Sequence, residues 1–175
     1  AHAYSGTMAL DIDNWQQASA LLAPHGVDLK ALYDAPDAVT VESGREGRGK
    51  LVYAMPFGLT LPTKRINYQA ADGSSAVAYE LRCATLDGST TQDVLPPTTH
   101  PITLQPYRWG GRGHWSRLPM LPMGLLSIWE ALSTRDTTRN IKTDTVDASA
   151  DDLRCALMHI DPSCTREMWV QVGMA

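Results

Sequence analysis

The pattern of apolar and polar positions predicts a series of short strands and helices. Residues 7–12 form an apolar run that ends in a carboxylate, which is typical of a buried strand. Residues 15–22 are expected to form a short helix, with Asp13 or Asn14 as its N-cap. Residues 27–33 favour a second short helix. The start of the chain therefore predicts one buried strand followed by two helices.

Three further strands are expected in the middle of the chain, at residues 38–41, 51–55 and 76–83. The dipeptides Asp72-Gly73 and Asp87-Gly88 flank the last of these strands. Both are typical of hairpin turns, because Gly adopts the positive φ that such turns need. The middle of the chain therefore predicts a sheet.

The segment that follows is less regular. Prolines at positions 96, 97 and 101 exclude a helix there. Residues 106–117 are rich in aromatic residues, Arg and Gly and are expected to form a loop, and a helix is expected over residues 125–132. We therefore expect a first domain over residues 1–132.

Polar residues dominate positions 133–148, which predicts a linker. Beyond it, apolar residues recur at helical spacing, so residues 149–175 are expected to begin a helical hairpin. No helix stop signal precedes Ala175, and we expect the chain to be part of a longer protein.

Length and composition allow one domain of average size with a small appendage. The chain has 175 residues, of which 43% are hydrophobic and 19% charged, so it can bury a core without a disulfide or metal. We expect neither a membrane span, which needs roughly 18 apolar residues, nor a secretory signal. Cys83, Cys155 and Cys164 are widely spaced, which argues against a disulfide framework and predicts a cytoplasmic location.

The formal net charge of −4 argues against a polyanionic partner. This average hides blocks of opposite sign: residues 1–42 carry −5, residues 43–65 carry +4, residues 66–93 carry −3 and residues 94–132 carry +2. A site with carboxylates beside a polyanion groove would need such alternation. Ordinary scatter over a solvated surface is the alternative, and it is the more frequent one.

Three carboxylates are candidates for a metal site. Asp11 and Asp13 fall on the same face of the first strand end, because side chains alternate with a period of two. Glu80, on the strand at 76–83, would join them if the two strands pair. Carboxylate oxygens suit Mg²⁺ or Mn²⁺. The alternative for each acid is a helix cap or a charge on the solvent face, and this is the more frequent outcome for acids in such positions.

A basic, Gly-rich loop is the candidate phosphate site. It runs from Ser43 and Gly44 through Arg48 to Lys50, and offers backbone N–H groups and cations to a triphosphate. It is not a Walker loop, because Leu51 stands where the metal-binding hydroxyl should be. A plain hairpin tip is the alternative.

Two further features favour nucleic acid or nucleotide contacts. His100 lies in a rigid, Pro-rich segment and is a candidate partner for a phosphate or a sugar. Residues 107–117 interleave aromatic and cationic side chains, as single-strand stacking platforms do. The alternative is that these aromatic residues anchor a loop on the core.

Taken in order, these motifs resemble those of the archaeo-eukaryotic primase superfamily. The closest resemblance is to the bifunctional primase-polymerase domain at the N-terminus of phage and plasmid replication proteins. Its first motif, Asp-x-Asp, is matched by Asp11 and Asp13. Its second motif, a Ser-Gly turn that leads to a basic position, is matched by Ser43, Gly44 and Lys50, where the family usually has His.

The third motif of the family is the longest. Glu80-Leu81-Arg82 matches its acid, apolar residue and Arg, with Glu in place of the commoner Asp. A hairpin then leads into the segment from Asp93 to His100 and into Tyr107-Arg108-Trp109. This resemblance covers roughly residues 4–118, and residues 149–175 are similar to the primase C-terminal helical region, after which a helicase often follows.

The resemblance implies an α+β fold with an archaeo-eukaryotic primase-like (RRM-like) mixed sheet, flanking helices and a small helical C-terminal segment. It implies template-dependent nucleotidyl transfer, that is, DNA primase and DNA polymerase activity, in the replication of a mobile element. The expected partners are a single-stranded DNA template, dNTP or NTP, and a helicase domain in the full-length protein. The expected metal is Mg²⁺ or Mn²⁺, used in a two-metal mechanism.

The resemblance also assigns roles to individual residues. Asp11, Asp13 and Glu80 would be the catalytic residues and metal ligands. The nucleotide-binding candidates are Ser43, Gly44, Arg48, Lys50, Arg82 and His100. Two alternatives stay open: a non-catalytic nucleic-acid-binding module of a replication initiator, and a metal-dependent nuclease that uses the same carboxylates.

Overall fold

The computed structural model describes the backbone of residues 1–140 and the side chains of residues 1–134. The strands of this part are β1 (Thr7–Ile12), β2 (Thr40–Glu42), β3 (Gly49–Ala54), β4 (Lys64–Gln69), β5 (Ser75–Arg82) and β6 (Arg108–Gly110). Its α-helices are α1 (His2–Ser5), α2 (Trp15–Leu22), α3 (Leu29–Asp34) and α4 (Met123–Asn140). The expected α+β class is confirmed.

Local capping explains the two helices after β1. The side chain of Asn14 accepts a hydrogen bond from the backbone N–H of Gln17 and so begins α2 at the predicted residue. The side chain of Asp28 accepts from the N–H groups of Lys30 and Ala31 and begins α3. Both predicted helices are therefore confirmed, and short polar caps fix their starts.

The six strands form one sheet in the order β4-β5-β1-β3-β2-β6. The expected mixed sheet is wrong for these strands, because every pairing between them is antiparallel. Helices α2 and α3 return the chain so that β2 runs in the direction of β1, but β3 lies between the two. The crossover therefore produces no parallel hydrogen-bonded pair, unlike a simple βαβ unit.

Sequence reasoning misses the two edge strands. β4 alternates between exposed and partly buried positions and carries polar residues, so its apolar signal is weak. β6 has only three residues and lies inside the segment that was expected to be a loop. Short, polar strands are typical of sheet edges, where one side of the backbone is left unpaired.

The hydrophobic core lies on one face of the sheet, beneath α2, α3 and α4. Leu10 and Leu51 pair across β1 and β3 and are fully buried there. Trp129 of α4 is fully buried in the same core and donates its indole N–H to the carbonyl of Pro62 at 2.7 Å. Burying such a side chain contributes about 2–3 kcal/mol. The core therefore fixes which face of β1 is left for polar side chains.

The opposite face carries the alternate residues of the same strands. Because side chains alternate along a strand, Asp11 on β1 points away from the core that Leu10 and Ile12 enter. This polar face is partly covered by α1 and by the segment that includes the buried side chain of Asp93 and the buried residue His100. The candidate chemistry therefore lies between the sheet and this covering segment.

The end of the described chain is helical. α4 continues to Asn140, into the segment predicted as a linker. The chain divides into two units, Ala1–Asp136 and Thr137–Ala175, and the sheet lies in the first. The predicted boundaries at 132 and 148 stay predictions, and the helical segment expected at 149–175 lies outside the described residues. Among the described residues, no helix has the length and apolar character that crossing a membrane requires.

Candidate functional site

A row of four charged residues crosses four strands on the polar face, with two carboxylates in the middle and a cation at each end. Asp11 on β1 lies directly opposite Lys50 on β3 and opposite Glu80 on β5. Glu80 in turn lies opposite Arg65 on β4. The two outer pairs have opposite charges, which stabilises antiparallel pairing, whereas Asp11 and Glu80 are like charges and depend on the cations beside them. The pairing of β1 with β5 that the sequence left conditional is therefore present.

A buried carboxylate connects this row to the covering segment. Asp93 Oδ1 lies 2.7 Å from Lys50 Nζ and 2.9 Å from Arg82 Nε. Its other oxygen, Oδ2, lies 2.6 Å from His2 Nε2. The Asp93 side chain is only 5% exposed. Asp93 therefore holds together α1, β3 and β5 through a set of contacts that we call the Asp93 cluster.

The environment shifts the pKa of two carboxyls in opposite directions. Burial alone would raise the pKa of Asp93, but the hydrogen bond from His2 and the charge of Lys50 outweigh it and hold that pKa well below its usual value. Burial raises the pKa of Asp11, and Lys50, 3.4 Å from its Oδ2, only partly offsets this. The fold therefore stabilises the ionised form of Asp93. For Asp11, the nearby cations do not fully offset the cost of burying the ionised form.

Both oxygens of Glu80 are held by arginines. Arg65 donates from Nε to Oε1, and Arg82 donates from Nη1 to Oε2. Burial alone would raise the pKa of Glu80, but these two hydrogen bonds lower it. Arg82 also donates to the carbonyl of Gln92 at 3.1 Å, beside Asp93. Glu80 therefore acts here as the anchor of two arginines.

The basic loop is fixed against the end of β1. Gly44 and Gly47 adopt positive φ values of 74° and 69°, which lets the loop turn twice within a few residues. The carbonyl of Gly47 accepts a hydrogen bond from the N–H of Trp15 at 2.9 Å, and Arg48 pairs with Asp13. The loop and the start of α2 are therefore joined.

A β-bulge holds the residues just after β1. The pairing of β4 with β5 shifts between Ile66 and Asn67, which leaves Ala78 of β5 without a partner on β4. The Ala78 carbonyl accepts hydrogen bonds from the N–H groups of Asp13 and Asn14, both at 3.0 Å. Such bulges re-aim side chains near functional sites. Here the bulge fixes the backbone that carries Asp13.

The loop and the strand ends enclose a small pocket of about 200 Å³, which we call the charged pocket. It combines two carboxylates with three cations and several neutral polar groups. The lining side chains that matter here are Asp11, Asp13, Ser43, Arg45, Arg48, Lys50, His100 and Tyr107. Six of the nine residues predicted from the sequence therefore meet in one place. Among the described residues, Gly44, Glu80 and Arg82 do not line this pocket.

His100 is oriented by its own loop. Its Nδ1 accepts hydrogen bonds from the N–H groups of Ile102 and Thr103, both at 3.1 Å. In a neutral imidazole this leaves the proton on Nε2, which is then a donor. The ring is buried and packs against Tyr107, with centroids 5.3 Å apart. His100 therefore offers an N–H group at the charged pocket.

The donor set fits a hard cation only in part. Asp11 and Asp13 both line the charged pocket and supply carboxylate oxygens, the ligands that Mg²⁺ and Mn²⁺ prefer. Glu80 does not fit, because arginines hold both of its oxygens. Within residues 1–134, no three acidic, His or Cys side chains form a group that could hold a metal ion. The role of Glu80 as a metal ligand stays a prediction.

The aromatic and cationic segment at 107–117 divides between two environments. Tyr107 belongs to the charged pocket. Trp109 and Trp115 stack, with ring centroids 6.3 Å apart and planes 23° from parallel, and Trp115 is 54% exposed. Gly111 lets this segment approach the chain just before β2, because a Cβ there would lie 2.1 Å from the carbonyl oxygen of Ala38. The segment therefore presents one exposed tryptophan, stacked on a partly buried one, beside the edge of the sheet.

Sequence reasoning misses three residues of the site. It places Asp93 in the third motif but gives it no role, and it gives His2 and Arg65 none. The signal for Asp93 is an acid directly before Val-Leu-Pro-Pro, at the start of the Pro-rich segment. His2 and Arg65 carry no signal of their own, because their positions depend on α1 and on the edge strand β4.

These features define a protein with a pocket that combines three cationic side chains with a pair of carboxylates. The family model described as "Bifunctional DNA primase/polymerase, N-terminal" matches residues 1–123. The chain therefore belongs to this family, and the expected resemblance is confirmed. No curated protein and no solved structure gives a significant match. Family membership places the chain in the DNA primase and polymerase class of replication proteins.

Proposed function

We propose that the charged pocket binds the triphosphate of a dNTP or NTP for template-directed nucleotidyl transfer to a DNA or primer end. The observation that supports this most is the meeting of Asp11 and Asp13 with Lys50 and Arg48 in one pocket. Family membership independently supports the same activity.

The basic side chains would bind the triphosphate. Lys50 is mostly buried, and its Nζ lies 3.4 Å from Asp11 Oδ2, so its ammonium group lies beside one of the carboxylates of the pocket. Arg48 and the Nε2 proton of His100 would add charge-assisted hydrogen bonds to phosphate oxygens. The hydroxyl of Ser43, at the start of the loop, is a further donor. These contacts would orient the phosphate chain toward Asp11.

The carboxylates would bind the metal that the reaction needs. Asp11 and Asp13 would hold Mg²⁺ or Mn²⁺ together with phosphate oxygens of the substrate, which would complete the ligand set that the protein leaves incomplete. When bound, such an ion lowers the pKa of an attacking hydroxyl and stabilises the charge on the leaving pyrophosphate. A second ion in a two-metal arrangement is part of the proposal and would need Glu80 to leave its arginines.

The template would lie along the edge of the sheet at β6. The segment has the composition of a single-strand binding platform, because it combines the stack of Trp109 and the exposed Trp115 with Arg108, Arg112 and Arg117. Tyr107 connects this segment to the charged pocket. Single-stranded DNA is therefore the proposed template, and a helicase domain in the full-length protein is the proposed partner.

Primer extension tests this function directly. A labelled primer on a single-stranded template is incubated with dNTP and Mn²⁺ or Mg²⁺, and extension products are resolved on a gel. We expect products only when chain, template, dNTP and metal are all present. Shortening of the labelled strand without dNTP would indicate the nuclease alternative instead.

Replacing Lys50 by Met should weaken nucleotide use. Met keeps the apolar stem but removes the charge, so we expect KM for dNTP to rise roughly 10- to 100-fold, which corresponds to losing one charge-assisted contact of about 1.5–3 kcal/mol. Lys50→Arg should restore part of the loss. Lys30→Met, at an exposed site on α3, is the control. An unchanged KM for Lys50→Met would contradict the assignment of this lysine.

A non-catalytic nucleic-acid-binding module is the second candidate function. It is favoured by Glu80, whose two oxygens are both held by arginines, and by Lys50, which is paired with Asp11 and Asp93. A thermal shift assay separates the two functions. A rise in melting temperature that needs both Mn²⁺ and dNTP supports the enzyme, because only a ligand of the folded state raises it.

A further inference from the structure

A second, larger pocket adjoins the charged pocket and is not used by the roles given above. It has a volume of about 590 Å³, within the range of small-molecule sites, and we call it the aromatic pocket. Asp13 and Arg48 line both pockets and so mark where the two meet. The other lining residues are Asn14, Trp15, Gln16, Tyr33, Glu46 and Gly47.

Two aromatic side chains form one part of its lining. Trp15, at the first turn of α2, and Tyr33, on α3, meet edge to face with ring centroids 4.8 Å apart and planes at 75°. Both side chains pack against the edge of the hydrophobic core but are only partly buried, so part of this aromatic surface is left at the pocket. The side chain of Gln16 is exposed at the same pocket and offers an amide donor and acceptor. Flat apolar surface and an adaptable polar group therefore occur together.

The buried hydroxyl of Tyr33 lacks a hydrogen-bond partner among the described residues, which is costly for a polar group. It lies against Gly49, where an added Cβ would be 2.6 Å from the hydroxyl oxygen. Gly49 lines the charged pocket, so Tyr33 connects the two pockets. Only glycine at this position lets the hydroxyl come so close to β3.

We propose that the aromatic pocket binds the nucleoside part of the triphosphate whose phosphates enter the charged pocket. The inference rests on the proposed function and adds to it the site of the base and sugar. The base would stack on Trp15, and the sugar, which joins base to phosphate, would lie near the Tyr33 hydroxyl. Arg48 would stand at the junction, close to the first phosphate.

The chemistry of the two pockets favours a nucleoside triphosphate over other ligands. A ligand that bridges the two pockets needs an anionic end for Lys50 and Arg48 and a flat, partly apolar end for Trp15. A nucleoside triphosphate carries its anionic phosphates at one end and its flat base at the other, so one molecule supplies both. A template strand would instead need an extended cationic groove, and Glu46 places a carboxylate in the lining of the aromatic pocket.

Binding measurements with two probes separate the two pockets. The affinities of the whole chain for dATP and for inorganic tripolyphosphate are measured with Mg²⁺ present, by calorimetry. We expect Trp15→Ala to weaken dATP binding by roughly 5- to 100-fold, the range for loss of one base–aromatic stack. Binding of tripolyphosphate should change less than about twofold, because it reaches only the charged pocket.

Three further variants guard against a trivial loss of folding. Trp15→Phe keeps an aromatic ring and should recover most of the dATP affinity. Tyr33→Phe removes only the unpartnered hydroxyl and should weaken dATP several-fold without affecting tripolyphosphate. Phe57→Ala, at an exposed aromatic residue that lines neither pocket, is the matched control and should leave both affinities unchanged.

The outcomes are distinguishable. If Trp15→Ala weakens both probes equally, or neither, the nucleoside site is wrong while the proposed function stands. If the folded wild-type chain binds neither probe, the proposed function itself fails, and the nucleoside site fails with it. A selective loss of dATP binding in Trp15→Ala that Trp15→Phe restores supports the inference.

Discussion

Primer extension should be lost when Asp11 and Asp13 are both replaced by Asn. The two carboxylates are the acidic side chains that line the charged pocket, and metal-assisted charge stabilisation contributes several kcal/mol to such reactions. We therefore expect the rate to fall by roughly 10³-fold or more. The measurement is the initial rate of labelled dNTP incorporation at saturating template. An unchanged rate would show that the active site lies elsewhere.

The same double variant should keep its stability, which separates a catalytic role from a structural one. Burial raises the pKa of Asp11, so keeping this carboxylate ionised in the fold costs folding free energy. Replacement by the neutral Asn removes that cost. Asp13 gives up only a partly exposed ion pair with Arg48, worth at most about 1 kcal/mol. Asp34→Asn with Asp37→Asn, at exposed positions, is the matched control. A large fall in melting temperature would mean that the carboxylates hold the fold instead.

Replacing Asp93 by Asn should destabilise the fold by about 3 kcal/mol, because one partner of a buried set of charges is removed and the others stay. Lys50 and Arg82 would lose the carboxylate that lies within 3 Å of both, and His2 would lose its contact at 2.6 Å. Urea unfolding at pH 7 measures the change. Asp37→Asn, at an exposed carboxylate, should change stability by less than about 0.5 kcal/mol.

The effect of Asp93→Asn should depend on pH in a defined direction. The pKa of Asp93 is lower in the fold than in the unfolded chain, so its contribution is complete above the unfolded value of about 4. As pH falls below about 4 toward the folded pKa, the carboxylate protonates and the contribution is lost. The stability difference between wild type and variant should therefore shrink in acid. A difference that is constant down to pH 2 would rule out the charge as its source.

Local signals predicted much of the fold, because they act over a few residues. α2 begins and ends where its cap and apolar spacing place it, and β5 lies within one residue of its expected bounds. The edge strands β4 and β6 were missed because their residues face solvent on one side and carry no clear alternation. The antiparallel order was missed because it depends on where β3 inserts, which no local pattern encodes.

The candidate site was predicted in composition more than in arrangement. Asp11, Asp13 and Lys50 meet as the order of motifs indicates, since motifs at strand ends converge when the strands pair. Glu80 was expected to be a metal ligand together with Asp11 and Asp13. In the structure its Oε1 accepts a hydrogen bond from Arg65, which lies on a strand that sequence reasoning did not identify. The role of Asp93 depends on a contact with His2, 91 residues away, and only the folded chain brings the two together.

The charged row has a consequence for how the sheet reaches a single alignment. Arg65, Glu80, Asp11 and Lys50 come from four separate strands, yet each faces an opposite charge. A slip of one residue in any of these strands would turn its charged side chain into the hydrocarbon layer and an apolar neighbour toward water. The residues proposed to bind substrate therefore also select against misaligned sheets while the chain folds.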